Sequence, residues 1–211
     1  MSRDALGKII VGAILLGAAA ILYVVFAAAS NGNGEAGLKR FATASLSKLV
    51  IDPKAPPQPT TRFADGDGLE VGLEKYRGKT ILVNLWATWC APCVKEMPTL
   101  AALKRAYAGK PFDVVAVSVD GQGDRKAAMT ELKELTGGGL AFYQDYTYGI
   151  AYAAKAVGFP TTILYGPDGR ELARIAGEAD WDSPEARALI DAALALSEGT
   201  AVVTKAEPKP L

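Results

Sequence analysis

The chain has no histidine and only two cysteines in 211 residues. Without histidine it lacks the commonest general base, the commonest metal ligand and the usual pH switch. Two cysteines alone cannot fill a structural zinc site, which takes about four nitrogen or sulfur ligands. Within one monomer that leaves only a weak or thiolate-only complex, so no metal site is expected. An excess of charge is also missing. Twenty-three basic residues balance 23 acidic ones, and no basic block of the kind that tracks phosphates occurs. Nucleic acid is not an expected partner.

Half the residues are hydrophobic, enough to build the core of one ordinary domain with extensions. The segment from Ile9 to Ala29 carries no charge and matches the roughly 20 apolar residues that span a bilayer. Arg3 and Lys8 precede it, and the first charge after it is Glu35. That asymmetry predicts a cytoplasmic N-terminus (1–8), a single transmembrane helix (9–29) and a domain facing outward, to the periplasm. A cleaved signal peptide is the alternative, with Ala27-Ala28-Ala29 as its cleavage site. The run is longer than the usual signal core, which favours the anchor. Either way the domain reaches a compartment where disulfides persist.

Residues 30–58 read as a periplasmic linker. Within it Leu38, Phe41, Ala42, Ser45, Leu46 and Leu49 recur at helical spacing, as a short docked helix or a frayed linker would. Asp52 to Pro59 should be extended, because proline disfavours helix at itself and before itself. A domain over 59–198 follows. Asp65-Gly66-Asp67-Gly68 predicts a hairpin between Thr60–Phe63 and Leu69–Gly72. Lys79–Trp86 and Phe112–Val119 read as core strands, and Met97, Leu100, Leu103 and Tyr107 as a helical stripe containing Pro98. Arg125–Leu135 reads as a helix, Leu140–Tyr143 as a short strand and Tyr148–Val157 as a helix. Thr161–Tyr165 and Glu171–Ala176 make a second hairpin around Gly166-Pro167-Asp168-Gly169. Pro184–Ser197 closes as a helix capped by Asp182 or Ser183. Residues 199–211 are expected to be a disordered tail. The whole is α/β with a mixed sheet.

Both cysteines stand in Trp86-Ala87-Thr88-Trp89-Cys90-Ala91-Pro92-Cys93, directly after the strand Ile81–Leu85. Two sulfurs at C-x-x-C spacing can close into a disulfide and reopen with little backbone movement, so the pair reads as a redox centre. With Tyr76-Arg77-Gly78-Lys79, Lys95-Glu96-Met97-Pro98, Gly158-Phe159-Pro160-Thr161-Thr162 and Ile175 to Trp181, the chain resembles thioredoxin-fold thiol–disulfide oxidoreductases. More narrowly it resembles the membrane-anchored TlpA-like branch, over roughly Pro59 to Ser197. Some TlpA proteins have a second cysteine pair, and this chain has none.

The resemblance implies a thioredoxin fold with an N-terminal β-hairpin extension, and no cofactor beyond a redox-active Cys90–Cys93 disulfide. Cys90 at a helix N-terminus would be the nucleophile, its pKa drawn below about 8.5 into the range ~3.5–7.5. Cys93 would resolve the mixed disulfide. Pro160 matches the family's cis-proline, beside which substrate backbone pairs. Trp89, Ala91, Pro92, Phe159 and Thr161 are the expected substrate-binding residues, with Trp86 either core or part of that face. Asn84 stands where thioredoxin has a buried aspartate. Related anchored reductases have a glutamate at the place of Glu96, which is either a proton acceptor for Cys93 or a plain glutamate on a solvated face. The expected direction is reducing. The expected clients are cysteine pairs of a copper chaperone, a cytochrome oxidase subunit or apocytochrome c, with a membrane electron donor upstream. A monomer is expected. An oxidant running the same chemistry backwards is the first alternative. A copper-delivery module of the Sco type is more distant, since those use C-x-x-x-C with a histidine.

Overall fold

A computed structural model describes residues 37–205, with side chains through residue 197. The expected cytoplasmic N-terminus, transmembrane span and start of the linker, and the end of the expected tail, lie outside the described residues. Among the described residues no helix is long and apolar enough to cross a membrane.

The centre of the sheet is β3 (Thr80–Trp86), in which every residue is buried. Side chains alternate faces along a strand. Leu82 and Trp86 join one apolar cluster, while Ile81, Val83 and Leu85 join another. Burial on both faces explains why β3 reads as a continuous apolar run. Its neighbours are β4 (Phe112–Ser118), parallel, and β6 (Thr161–Tyr165), antiparallel. β5 (Phe142–Gln144) lies parallel to β4, and β7 (Glu171–Ala176) antiparallel to β6. The hairpin of β1 (Phe63–Asp65) and β2 (Glu70–Val71) extends the far edge through an antiparallel β1–β5 pair. The order is β2-β1-β5-β4-β3-β6-β7. Helices α1 (Ala91–Ala106), α2 (Arg125–Thr136), α3 (Gly149–Ala153) and α4 (Pro184–Lys205) complete a thioredoxin-like fold with an N-terminal hairpin.

Six expectations are corrected. The stretch from Leu38 to Ile51 is not one helix but two 3-10 turns, Lys39–Phe41 and Ala44–Leu46. Thr43 is extended and Ala44 has φ 47°, so the helix cannot run through. The stretch nevertheless docks: Leu38 and Leu46 are fully buried in the cluster that contains Leu189 and Ile190 of α4.

The linker boundary at residue 58 is also displaced. Val50 bridges Arg174 and Pro57 bridges Arg170, and Gln58 N–H donates to the Gly169 carbonyl at 2.7 Å. Residues 38–58 are thus part of the domain, with Val50 paired to β7 and Pro57 and Gln58 held by the turn before it. Within them Asp52–Ala55 closes as a turn rather than extending, with Ala55 N–H donating to the Asp52 carbonyl at 2.9 Å.

Helix α3 is shorter than the Tyr148–Val157 pattern, because Tyr148 (φ 61°) and Lys155 (φ 55°) adopt left-handed backbone at either side of it. β5 begins at Phe142 rather than Leu140. Helix α4 runs past Ser197 to Lys205, into the stretch expected to be disordered. Its cap is Ser183, whose Oγ accepts from Ala186 N–H at 3.2 Å; four orphan N–H groups at a helix start favour such a side chain.

Candidate active site

Strand β3 ends at Trp86, and four residues later Cys90 caps α1. Cys90 is extended (φ −96°, ψ 92°) and its Sγ accepts from Cys93 N–H at 3.3 Å. Pro92 sits in the first helical turn, where a missing N–H costs nothing. Cys90 and Cys93 are joined by a disulfide with Cα atoms 5.2 Å apart. Cys93 is fully buried and Cys90 is 6% exposed, while Ala91 and Pro92 lie exposed beside them.

The loop before Cys90 is held from an unexpected side. Asp120, buried just after β4, accepts from Thr88 N–H at 3.1 Å and Thr88 Oγ1 at 2.6 Å. Ser118 Oγ donates to its other oxygen at 2.8 Å. Asp120 was not singled out from the sequence. The available signal was a lone carboxylate closing the apolar run Val114–Val119.

Trp89 projects into solvent, 62% exposed. Its ring meets Phe159 edge-on with centroids 5.8 Å apart, which brings the Phe159–Pro160 loop beside the cysteine loop. The Phe159–Pro160 peptide is cis, as the resemblance implied. Thr161 is 1% exposed and its Oγ1 donates to the Gly158 carbonyl at 2.7 Å. Its side chain therefore shapes this loop instead of facing the surface. Trp86 is fully buried core.

Glu96 is not on a solvated face. It is 1% exposed, on α1 one turn beyond Cys93. Asn84 Nδ2 donates to Oε1 at 2.6 Å, and Ala179 N–H and Trp181 Nε1 donate to Oε2 at 3.1 and 3.3 Å. Asn84 also donates to Thr162 Oγ1 at 2.9 Å, from directly across the β3–β6 ladder. Its Oδ1 is buried with no hydrogen-bond partner. Burial drives the Glu96 carboxyl up from 4.5 to about 7, against the opposing pull of the three donors. The sequence pointed to Glu96 but not to the donors from Ala179 and Trp181, which reach it from the loop after β7.

Sulfurs that close at a helix start, on a mixed sheet of this order, define the class: a thioredoxin-fold protein with a redox disulfide. The family model for Redoxin matches residues 53–190, and the chain belongs to the Redoxin family. It is similar to the thiol-disulfide oxidoreductase ResA of Bacillus subtilis (strain 168), 29% identical over 119 residues, or 56% of this chain and 65% of the relative. The ResA of Bacillus anthracis is 29% identical over 141 residues, 64% of this chain and 75% of the relative. A crystal structure from Chlorobium tepidum, described as a thiol:disulfide interchange protein DsbE, superposes with a TM-score of 0.61 at 26% identity, covering 69% of this chain and 99% of that one. The domain is thus a TlpA-like thiol–disulfide oxidoreductase domain.

Proposed function

We propose that the protein is a membrane-tethered reductase of protein disulfides, held by residues 9–29 in the inner membrane as a single pass with its domain in the periplasm. The observation that carries the catalytic reading is Cys90 at the α1 N-cap with Cys93 N–H aimed at its sulfur. Helix-end N–H groups stabilise negative charge there. The Cys90 thiolate attacks one sulfur of a client disulfide, and the other sulfur leaves as a thiolate that takes a proton from water. The Cys93 thiolate then attacks Cys90 Sγ, which reforms the Cys90–Cys93 disulfide and releases the second client thiolate. Two electrons pass to the client, and a membrane donor restores them.

Glu96, poised at about 7, takes the Cys93 proton and returns it when the pair is reduced again. Client backbone pairs beside Pro160 on Phe159, whose N–H and C=O bond to no described residue. Ala91, Pro92 and Trp89 border the approach. The clients are cysteine pairs of a copper chaperone, a cytochrome oxidase subunit or apocytochrome c, where tethering raises local concentration at the membrane.

The test uses the full-length protein. Cys93→Ser should accumulate a mixed disulfide between Cys90 and client proteins, released by dithiothreitol. Cys90→Ser should accumulate none; the reverse pattern would overturn the assigned roles.

A further inference from the structure

The carboxylate behind the cysteine loop takes no part in the exchange steps above. Asp120 is 1% exposed, and among the described residues it forms no ion pair. A buried charge without an opposite partner needs hydrogen-bond donors. The N–H and the hydroxyl of Thr88 supply two, and Ser118 Oγ supplies another. The aspartate is itself firmly seated. Its N–H donates to Ser118 Oγ at 3.1 Å, and its carbonyl accepts from Gln144 Nε2 at 3.1 Å. Arg125 orients that glutamine, donating to Gln144 Oε1 at 3.2 Å and to the Gly66 carbonyl of the β1–β2 turn at 3.2 Å. On the side of the disulfide, Cys90 N–H donates to the Ala87 carbonyl at 3.1 Å. That bond closes Ala87 to Cys90 as a tight turn with Thr88 inside it.

We propose that Asp120 is a positioning residue that stabilises the disulfide over the dithiol, by gripping Thr88 in the turn that must move when the bond opens. This rests on thiol–disulfide exchange at Cys90 and Cys93, whichever way electrons flow, and adds a residue that sets how reducing the pair is. Opening the bond takes the two sulfurs from bonding to van der Waals distance. Cys93 is fully buried on α1, so the displacement falls on Cys90 and the turn before it. Moving that turn draws Thr88 away from Asp120, and the buried carboxylate then keeps only its bond from Ser118. Hydrogen bonds to charged groups are the costly ones to lose, most of all where water cannot replace them. The dithiol bears that cost and the disulfide does not, so the grip lowers the reduction potential.

The test equilibrates the full-length protein with glutathione and glutathione disulfide, then traps free thiols by alkylation and counts them by mass. Two glutathione thiols give their electrons and protons to the Cys90–Cys93 disulfide and join as glutathione disulfide, so the equilibrium constant reads the stability of the dithiol. Thr88→Val removes the hydroxyl donor from a partly buried loop position, and Asp120→Asn removes the charge while keeping the shape. Each should shift the constant toward the dithiol on the order of tenfold, which is about 30 mV for this two-electron couple. Thr88→Ser restores the hydroxyl and should stay within about twofold of wild type. The double variant, Thr88→Val with Asp120→Asn, should shift no further than the larger single change, because both break one contact. An unchanged constant in Thr88→Val, a shift toward the disulfide, an equal shift in Thr88→Ser, or shifts that add in the double variant would overturn the proposal while exchange itself stands. The Thr88 pair decides alone should Asp120→Asn fail to fold. If the wild-type disulfide does not exchange with glutathione at all, the exchange reading falls and this proposal with it.

Discussion

Replacing Glu96 with glutamine should remove a specific pH dependence of folding stability. The carboxyl is 1% exposed and its pKa rises from 4.5 to about 7 on folding. A raised carboxyl favours the folded state while protonated. Its contribution is therefore complete below about pH 4.5 and is lost as pH rises through about 7. At about 1.4 kcal/mol per pH unit, the loss across that window is about 3 kcal/mol.

Glutamine fits the same space. Its carbonyl can keep the N–H groups of Ala179 and Trp181. Its amide would face Asn84, whose unpaired Oδ1 becomes the acceptor once that amide turns over. Thr162 Oγ1 accommodates the turn, since a hydroxyl can donate as well as accept. The assay is urea unfolding of the oxidised protein between pH 4 and pH 8.5, where the disulfide keeps both thiols from titrating. Wild type should lose about 3 kcal/mol more than Glu96→Gln across the window. Subtracting the variant cancels the other titrating groups, including Glu131, whose carboxyl burial also pushes up. Parallel pH profiles for the two proteins would refute the reasoning.

Trp181→Phe keeps the ring but deletes one donor to Glu96 Oε2, so the stability transition assigned to Glu96 should move to higher pH; an unmoved or lowered midpoint would contradict the network. Leu46→Ala should cost about 2–5 kcal/mol in urea unfolding, the range for a buried leucine, because Leu46 is fully buried. A dangling linker would lose almost nothing by the same change.

The strands of the centre were legible because burial on both faces leaves an unbroken apolar run, as in β3, and because turn residues punctuate β6 and β7, whose limits match the sequence reading. Helix limits were less legible where single residues take left-handed backbone. Nothing in an alanine or a tyrosine announces φ 47° at Ala44 or φ 61° at Tyr148. The chain from Val50 to Gln58 misled for another reason. Its prolines do predict non-helical backbone, but pairing to Arg174 on β7 and to Arg170 just before it is a tertiary fact that local propensity cannot carry.

The site divides the same way. Cys90, Cys93 and Pro160 stand in motifs with fixed spacing. Glu96 was visible as a candidate because of its place one turn from Cys93 and because related anchored reductases have a glutamate there. Its burial depends on Ala179 and Trp181, far along the chain, and on Asn84 across the helix–sheet interface. Asp120 escaped notice because its partner in the cysteine loop, Thr88, is neither charged nor near it in sequence.

Reduction potential tests the central claim, reduction of client disulfides, most directly. The protein would be equilibrated in graded thiol–disulfide buffers and followed by tryptophan fluorescence, since Trp89 adjoins the pair and Trp86 ends the strand that delivers it. A midpoint of roughly −270 to −200 mV, in the span of thioredoxins and glutaredoxins, is the predicted result and fits a reductase fed by a membrane donor. A midpoint near about −120 mV would contradict it, because a couple that oxidising would draw electrons out of client thiols and install disulfides.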